Sequence, residues 1–261
     1  MSRPSLAELR GVCQPGTVLA RRNAEHWVAL LYIRRVSLRV TRLLAPTEVT
    51  PNQVTVVMML VGLAATGLLA INGLVGALAC AIGIQLYLLL DCVDGELARW
   101  RRSTSARGVY LDRLSHYVVE AALFTMLGLR IGGSLDSPWL SVGLATALLV
   151  LLSKVETDLV AATVGAAAAH DDAAAAVPAS RLIRAVRAAA YPLKLHRTTG
   201  AVEASLLIAA AALAVTAGWD DAETVLAIFF LSVAAVVAVG HALTIISSSR
   251  LNPAGAPKET S

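Results

Sequence analysis

Two pairs of residues in this sequence have the types and the spacing of a reactive site. Asp91 and Asp94 are three residues apart, and Asp112 and His116 are four apart. On helices both spacings put the paired side chains on one face. Two antiparallel neighbouring helices carrying these pairs present three carboxylates and an imidazole to one pocket. Carboxylates so close together repel unless cations neutralise them. Hard divalent ions such as Mg²⁺ take oxygen ligands and commonly bind substrate phosphates as well. Two such ions about 4 Å apart clamp a diphosphate through its displacement. Gly95 and Ala98 follow on nearly the same face, where small residues let a ligand approach the backbone. The competing explanation is a set of helix-end charges, with Asp91 and Asp94 paired to nearby arginines. It suits a lone carboxylate pair better than it suits this spacing with glycines at fixed offsets.

The elements that must position these groups are membrane spans. Of 261 residues, 57% are hydrophobic and only 15% charged, and the mean hydropathy is +0.68. A soluble domain carries roughly 45–50% apolar and about 25% charged residues, so a soluble globule and a disordered chain are both excluded. The three cysteines, Cys13, Cys80 and Cys92, form no CxxC pair, which argues against a disulfide framework or a structural zinc site. The first 24 residues are polar and basic without an apolar core, so no cleavable signal peptide is expected.

No charge occurs between Glu48 and Asp91. That stretch is about 63 Å of helix, twice the ~30 Å hydrocarbon core. Asn72-Gly73 splits it into spans near 54–71 and 75–93. Further spans are expected near 110–129, 139–165, 204–218 and 224–248, with the fourth carrying Lys154, Glu156 and Asp158. The predicted fold is all-α integral membrane: six transmembrane helices preceded by an N-terminal interfacial amphipathic helix. That helix is placed at 24–45, where Trp27, Leu30, Leu31 and Ile33 mix with Arg34, Arg35, Arg39 and Arg42. The chain divides into a cytoplasmic N-terminal segment (1–49), a catalytic six-helix domain (50–249) and a cytoplasmic tail (250–261).

Of 22 Lys and Arg, eight precede the first span, five lie between spans two and three, five between spans four and five, and two follow span six; Arg130 alone lies on the opposite side, and Lys154 lies within a span. The positive-inside rule then puts both termini in the cytoplasm. The acidic far-side turn Trp219-Asp220-Asp221 agrees. The alanine-rich stretch 166–180 with His170, Asp171 and Asp172 reads as a loop rather than a metal site.

Residues 91–116 resemble the signature of the CDP-alcohol phosphotransferases, D-x2-D-G-x2-A-R-x8-G-x3-D-x3-D. The matching positions are Asp91, Asp94, Gly95, Ala98, Arg99, Gly108 and Asp112. The six-span topology matches too. The resemblance implies an enzyme that transfers a substituted phosphate from a CDP-alcohol to an acceptor hydroxyl and releases CMP. Asp91, Asp94 and Asp112 would bind the metals, Mg²⁺ or Mn²⁺ and two in number. Gly95, Ala98, Arg99 and Gly108 would shape the CMP and diphosphate pocket, with Arg99 alternatively a structural partner of an aspartate. Thr50-Pro51-Asn52-Gln53-Val54-Thr55 resembles the family's Pro-Asn-x-x-Thr segment, making Asn52 and Thr55 candidates for CMP contact. Its Thr and Pro also suit a plain helix start.

The eighth position departs: the family has aspartate where this chain has His116. In the family that aspartate is thought to deprotonate the acceptor hydroxyl, and it can also touch a metal. An imidazole of ordinary pKa about 6.5 suits a general base near neutral pH. Its neutral form also removes one negative charge, which predicts weaker binding of a second Mg²⁺ or a greater tolerance for Mn²⁺. Two alternatives stand beside it: a passive His116 in a slow or inactive enzyme, and Glu120, one turn further on the same face, as the carboxylate.

The expected partners are a CDP-alcohol donor and an alcohol acceptor, at least one of them a lipid, at the inner membrane with the active site cytoplasmic. No nucleic acid is expected, and the resemblance implies a homodimer. The runs Thr50–Thr55 and Asp94-Gly95-Glu96 look most like the branch acting on CDP-inositol. Arg181, Arg184, Arg187, Lys194 and Arg197 could bind an acceptor phosphate or serve only as positive-inside charge. Two rival functions remain. One is a carrier using Lys154, Glu156, Asp158 and His241 as a relay, although Lys154 with Asp158 reads more simply as an i,i+4 pair. The other is an inactive scaffold that binds CMP-containing lipids.

Overall fold

A computed structural model describes residues 4–15, 32–164 and 195–246. Its elements are helices, and the described residues contain no strand: α1 (Leu6–Cys13), α2 (Arg34–Leu44), α3 (Pro51–Gly67, prolonged by a 3₁₀ turn Leu68–Ala70), α4 (Gly73–Trp100), α5 (Ala106–Gly132), α6 (Pro138–Val164), α7 (Leu195–Thr198), α8 (Ala201–Thr216) and α9 (Ala222–Ile246). The basic loop residues 181–194 and the stretch 166–180 lie outside the described residues, as does the first part of the helix expected at 24–45.

Local chemistry sets the helix ends. Thr50 accepts from Gln53 N while the Gln53 side chain accepts from Thr50 N, a capping box with Pro51 in the first turn. Ser105 caps α5 by accepting from Gly108 N at 3.1 Å. Gly108 therefore lies in the first helical turn. At the other end of α5, Gly133 takes the left-handed conformation (φ 68°) that closes a helix without a Cβ penalty.

Among the described residues, five helices are long and apolar enough to cross a membrane: Pro51–Ala70, Gly73–Trp100, Ala106–Gly132, Pro138–Thr163 and Ala222–Ile246. Their positions match five of the six expected spans. The sixth, α8, has 16 residues, or about 24 Å, short of the ~30 Å hydrocarbon core. It packs on α4 and α9. α3 pairs with α4 and α5, α5 with α6, and α6 with α9. The shared core gathers Met58, Ile84, Tyr87, Leu123, Phe124, Ile208 and Phe230, with Phe124 and Phe230 edge to face at 5.2 Å.

The difference that matters for the site is α4. It has 28 residues, about 42 Å, and runs seven residues past the expected end at 93. A span of roughly 20 residues counted from Gly73 ends near Cys92, so Asp91 sits at the border and Asp94 to Arg99 form a projecting helical end.

At the opposite end, Arg130 ties the turns together. Its Nε donates to both carboxylate oxygens of Glu223 at 3.0 Å, Nη2 to Glu223 Oε1 at 2.9 Å and to Gly73 O at 2.8 Å, and Nη1 to Ile71 O at 2.8 Å. Both side chains are largely buried, at 4% and 15% exposure. Removing one member of such a pair leaves a buried charge without its partner, at a cost of about 3–5 kcal/mol. Arg130→Met is expected to lower the thermal midpoint of the detergent-solubilised protein sharply, and adding Glu223→Gln should recover part of the loss. An unchanged midpoint would show the pair to be dispensable.

Candidate active site

Asp91 and Asp112 face each other from α4 and α5, with His116 between them. His116 Nε2 is 3.2 Å from Asp91 Oδ1 and 3.5 Å from Asp112 Oδ1. One ligand atom from each of the three lies within 4.8 Å of the others. The i,i+4 spacing of Asp112 and His116 puts both on one face of α5, from which His116 reaches Asp91 and Tyr87 on α4. The other ring nitrogen, Nδ1, lies 2.6 Å from the Tyr87 hydroxyl.

Asp94 stands slightly apart from this trio. It is 7% exposed, and its Oδ2 accepts from Thr55 Oγ1 at 2.6 Å. Thr55 also faces Pro51 O at 3.1 Å. The first turn of α3 is thereby fastened to the acidic end of α4, as the Pro-Asn-x-x-Thr run requires. Asn52 lies against Gly108: a Cβ there would come within 3.1 Å of Asn52 Oδ1. The structure thus brings candidates from three helices to one end of the bundle.

The donor set suits a hard divalent cation: several carboxylate oxygens supplemented by one imidazole nitrogen. Asp94 supports this reading. A buried carboxylate is costly unless compensated, and the Thr55 hydroxyl and the Gly95 backbone are neutral partners that leave its charge in place. The ligand atoms close enough together to hold one such ion are those of Asp91, Asp112 and His116.

Arg99 is tied to the backbone of α1. Its Nε donates to Cys13 O at 2.8 Å, and its guanidinium lies across Gly95, where a Cβ would be 3.2 Å from Nη1. It links the pocket floor to α1 instead of pairing with an aspartate. Arg101 is also occupied by backbone, donating to Val49 O at 2.5 Å, Thr47 O at 2.6 Å and Leu44 O at 3.0 Å.

The residue that sequence reasoning missed is Glu96. It is completely buried. Its Oε1 accepts from Ser37 Oγ at 2.6 Å and Gln14 Nε2 at 2.7 Å, and its Oε2 from Thr41 Oγ1 at 2.7 Å. Arg34 Nη1 is 3.7 Å away. One carboxylate on the motif helix therefore holds both α1 and α2. Its sequence signal is the pair Ser37 and Thr41, four residues apart on the side of α2 away from Arg35, Arg39 and Arg42. That helix docks a polar face inward, which a search for an apolar face overlooks.

The same contact governs Cys13, whose Sγ donates to Glu96 O at 3.3 Å. Burial, with the Glu96 charge adding to it, pushes the Cys13 thiol up to about 11. The thiolate is the nucleophile, so a two-unit rise leaves about 100-fold less of it near pH 8. The Cys13 peptide is expected to alkylate at least that much more slowly than an exposed thiol, and Glu96→Leu should speed it by freeing α1. Fast labelling of Cys13 in the native protein would contradict the docking of α1.

Glu120 and the charges of α6 are spoken for. Lys154 Nζ pairs with Glu120 Oε2 at 2.9 Å, while Asp158 accepts from Arg113 and Tyr117. Lys154 and Asp158 therefore each take a partner on α5 instead of forming the expected i,i+4 pair. Glu156 pairs with His241 at 3.1 Å. These groups meet across helix pairs, and Glu120 faces Lys154.

Comparison with known proteins agrees with the geometry. The family described as CDP-alcohol phosphatidyltransferase matches residues 48–246. A bifunctional IPC transferase and DIPP synthase of Thermococcus kodakarensis is 38% identical over 123 residues, covering 47% of this chain and 26% of that protein. The protein of the same name from Aquifex aeolicus is 32% identical over 124 residues, covering 46% and 27%. The matched region spans about a quarter of each relative.

Proposed function

The chain belongs to the CDP-alcohol phosphatidyltransferase family, and from that premise we propose that it transfers the substituted phosphate of a CDP-alcohol to an acceptor hydroxyl and releases CMP. The observation that carries this reading is the convergence of Asp91, Asp112 and His116 within 4.8 Å on facing turns of α4 and α5. In the reaction the acceptor oxygen bonds to the phosphorus bearing the donor alcohol. The bond from that phosphorus to the CMP oxygen breaks, and its electron pair leaves with CMP. Such chemistry rests on positioning and charge neutralisation.

Asp91, Asp94 and Asp112 would hold divalent cations, Mg²⁺ or Mn²⁺ and two in number. When bound, these ions would neutralise the diphosphate and the developing charge on the leaving group. His116 Nε2 takes the proton of the acceptor hydroxyl. Asn52, Thr55, Gly95, Ala98, Arg99 and Gly108 form the CMP side of the pocket. Thr55 holds Asp94 in place, and Arg99 fixes the floor at Gly95.

The domain division at 49/50 and 249/250, cytoplasmic termini, an active site at the inner face of the cell membrane, and a homodimer complete the proposal. Their support is the one-sided distribution of Lys and Arg and the family resemblance. The donor branch we favour is CDP-inositol, from the runs Thr50–Thr55 and Asp94-Gly95-Glu96. Both relatives are named DIPP synthases. A second reading, a CMP-lipid-binding scaffold without turnover, rests on His116 replacing the last motif aspartate.

The test is CMP release by the purified protein with Mg²⁺ or Mn²⁺, across CDP-inositol, CDP-diacylglycerol and CDP-ethanolamine with lipid and polyol-phosphate acceptors. Release that needs both metal and acceptor supports the transferase. Metal-dependent binding of a CDP-alcohol without release in any pairing supports the scaffold.

A further inference from the structure

We propose that Tyr87 is a positioning residue that fixes the His116 ring so that Nε2, and not Nδ1, is the nitrogen presented to the site. The inference rests on the reading of His116 as base given above and extends it to a residue outside the motif.

Tyr87 lies four residues before Asp91 on α4, hence on the same side of the helix, but its ring points into the core and is 2% exposed. Its hydroxyl is 2.6 Å from His116 Nδ1. The two rings meet edge to face, with centroids 5.7 Å apart and planes at 88°. An imidazole has two edges that look alike to packing forces. A half-turn about χ2 would exchange Nδ1 with Cδ2 and Nε2 with Cε1. That flip would abandon the Tyr87 bond inside the protein and turn Nε2 away from Asp91 and Asp112. A phenol hydroxyl both donates and accepts, so it holds Nδ1 in either neutral tautomer.

The phenol is itself fixed. Gly62 of α3 provides the space: a Cβ there would come within 2.9 Å of Tyr87 Cδ2 and 2.6 Å of Val119 Cγ2. Val119 lies one turn beyond His116 on α5. Three helices thus form the seat for one ring, and that ring's only polar atom meets His116. A side chain that needed nothing but core volume would be phenylalanine. Here the hydroxyl stands on the histidine that replaces the family's aspartate.

The test uses the full-length protein in lipid nanodiscs, with Tyr87→Phe made alone and in His116→Asp. ¹⁵N-histidine spectra of the metal-free protein read the ring directly, with the His116 signals assigned by their loss in His116→Asp. Tyr87→Phe is expected to shift the His116 Nδ1 resonance. It is also expected to lower kcat for CMP release about tenfold or more while leaving KM for the donor within twofold. In the His116→Asp background the same change should alter kcat less than twofold, because there is no ring to orient. An unmoved Nδ1 resonance, or unchanged kcat in Tyr87→Phe, overturns the inference. Equal losses in both backgrounds also overturn it and make Tyr87 purely structural. Full activity in His116→Ala would instead defeat the reading of His116 as base, whatever the spectra show.

Discussion

Asp112→Ala is expected to lower CMP release by about 10³-fold or more. Asp112 is one of the three groups that meet within 4.8 Å, and it stands 3.5 Å from His116 Nε2. Its removal strips one carboxylate from the cation site and one neighbour from the base. Groups that act as a unit lose most of their effect when any one is deleted, and ligand-supporting contacts alone are worth 10–100-fold. Asp91→Ala should fall into the same range. The measurement is single-turnover CMP release at saturating metal, beside a Mn²⁺-binding isotherm. Retention of more than a tenth of wild-type turnover with normal Mn²⁺ binding would remove Asp112 from the machinery.

His116→Ala is the second, with an expected loss of about 10²–10⁴ in kcat, the usual worth of a general base. His116→Asp should recover much of it and change the metal dependence at the same time. A carboxylate has several lone pairs and can touch a cation and accept a proton together. A neutral imidazole has one, and with Nδ1 committed to Tyr87, Nε2 can do only one of those things. The native protein is therefore expected to bind a second Mg²⁺ more weakly than His116→Asp, or to favour Mn²⁺ more. Matching metal titrations for the two proteins would sink this reading. Glu120 offers no substitute, because Lys154 holds it at 2.9 Å.

The fold was legible where physics acts along the chain. Apolar runs gave the five long helices, and Thr50-Pro51 and the Asn72-Gly73 turn marked the ends of two of them. The acidic cluster was legible because i,i+3 and i,i+4 spacing on two adjacent helices leaves little freedom in where side chains meet. What stayed hidden was tertiary. Nothing local says that Glu96 is buried while its neighbour Gly95 borders the pocket, since the two differ by 100° around one helix. Ser37 and Thr41 become meaningful only once α2 lies across α4. The length of α4 was underestimated because its last turns are polar, and polarity ends a membrane span without ending a helix. The short α8 was counted with its longer neighbours because composition reports apolarity more clearly than reach.

The bond between Gln14 and Glu96 spans 82 positions of chain. At a synthesis rate of roughly 5–20 residues per second, about 4–16 s separate the emergence of the two. During that interval α1 and α2 exist without the carboxylate that seats them, while α3 and most of α4 are already being delivered to the bilayer. The helices α1 and α2 are thus made well before the carboxylate that seats them. Their docking waits for Glu96, so a nascent chain gains the floor of its pocket only after its second span has been translated through.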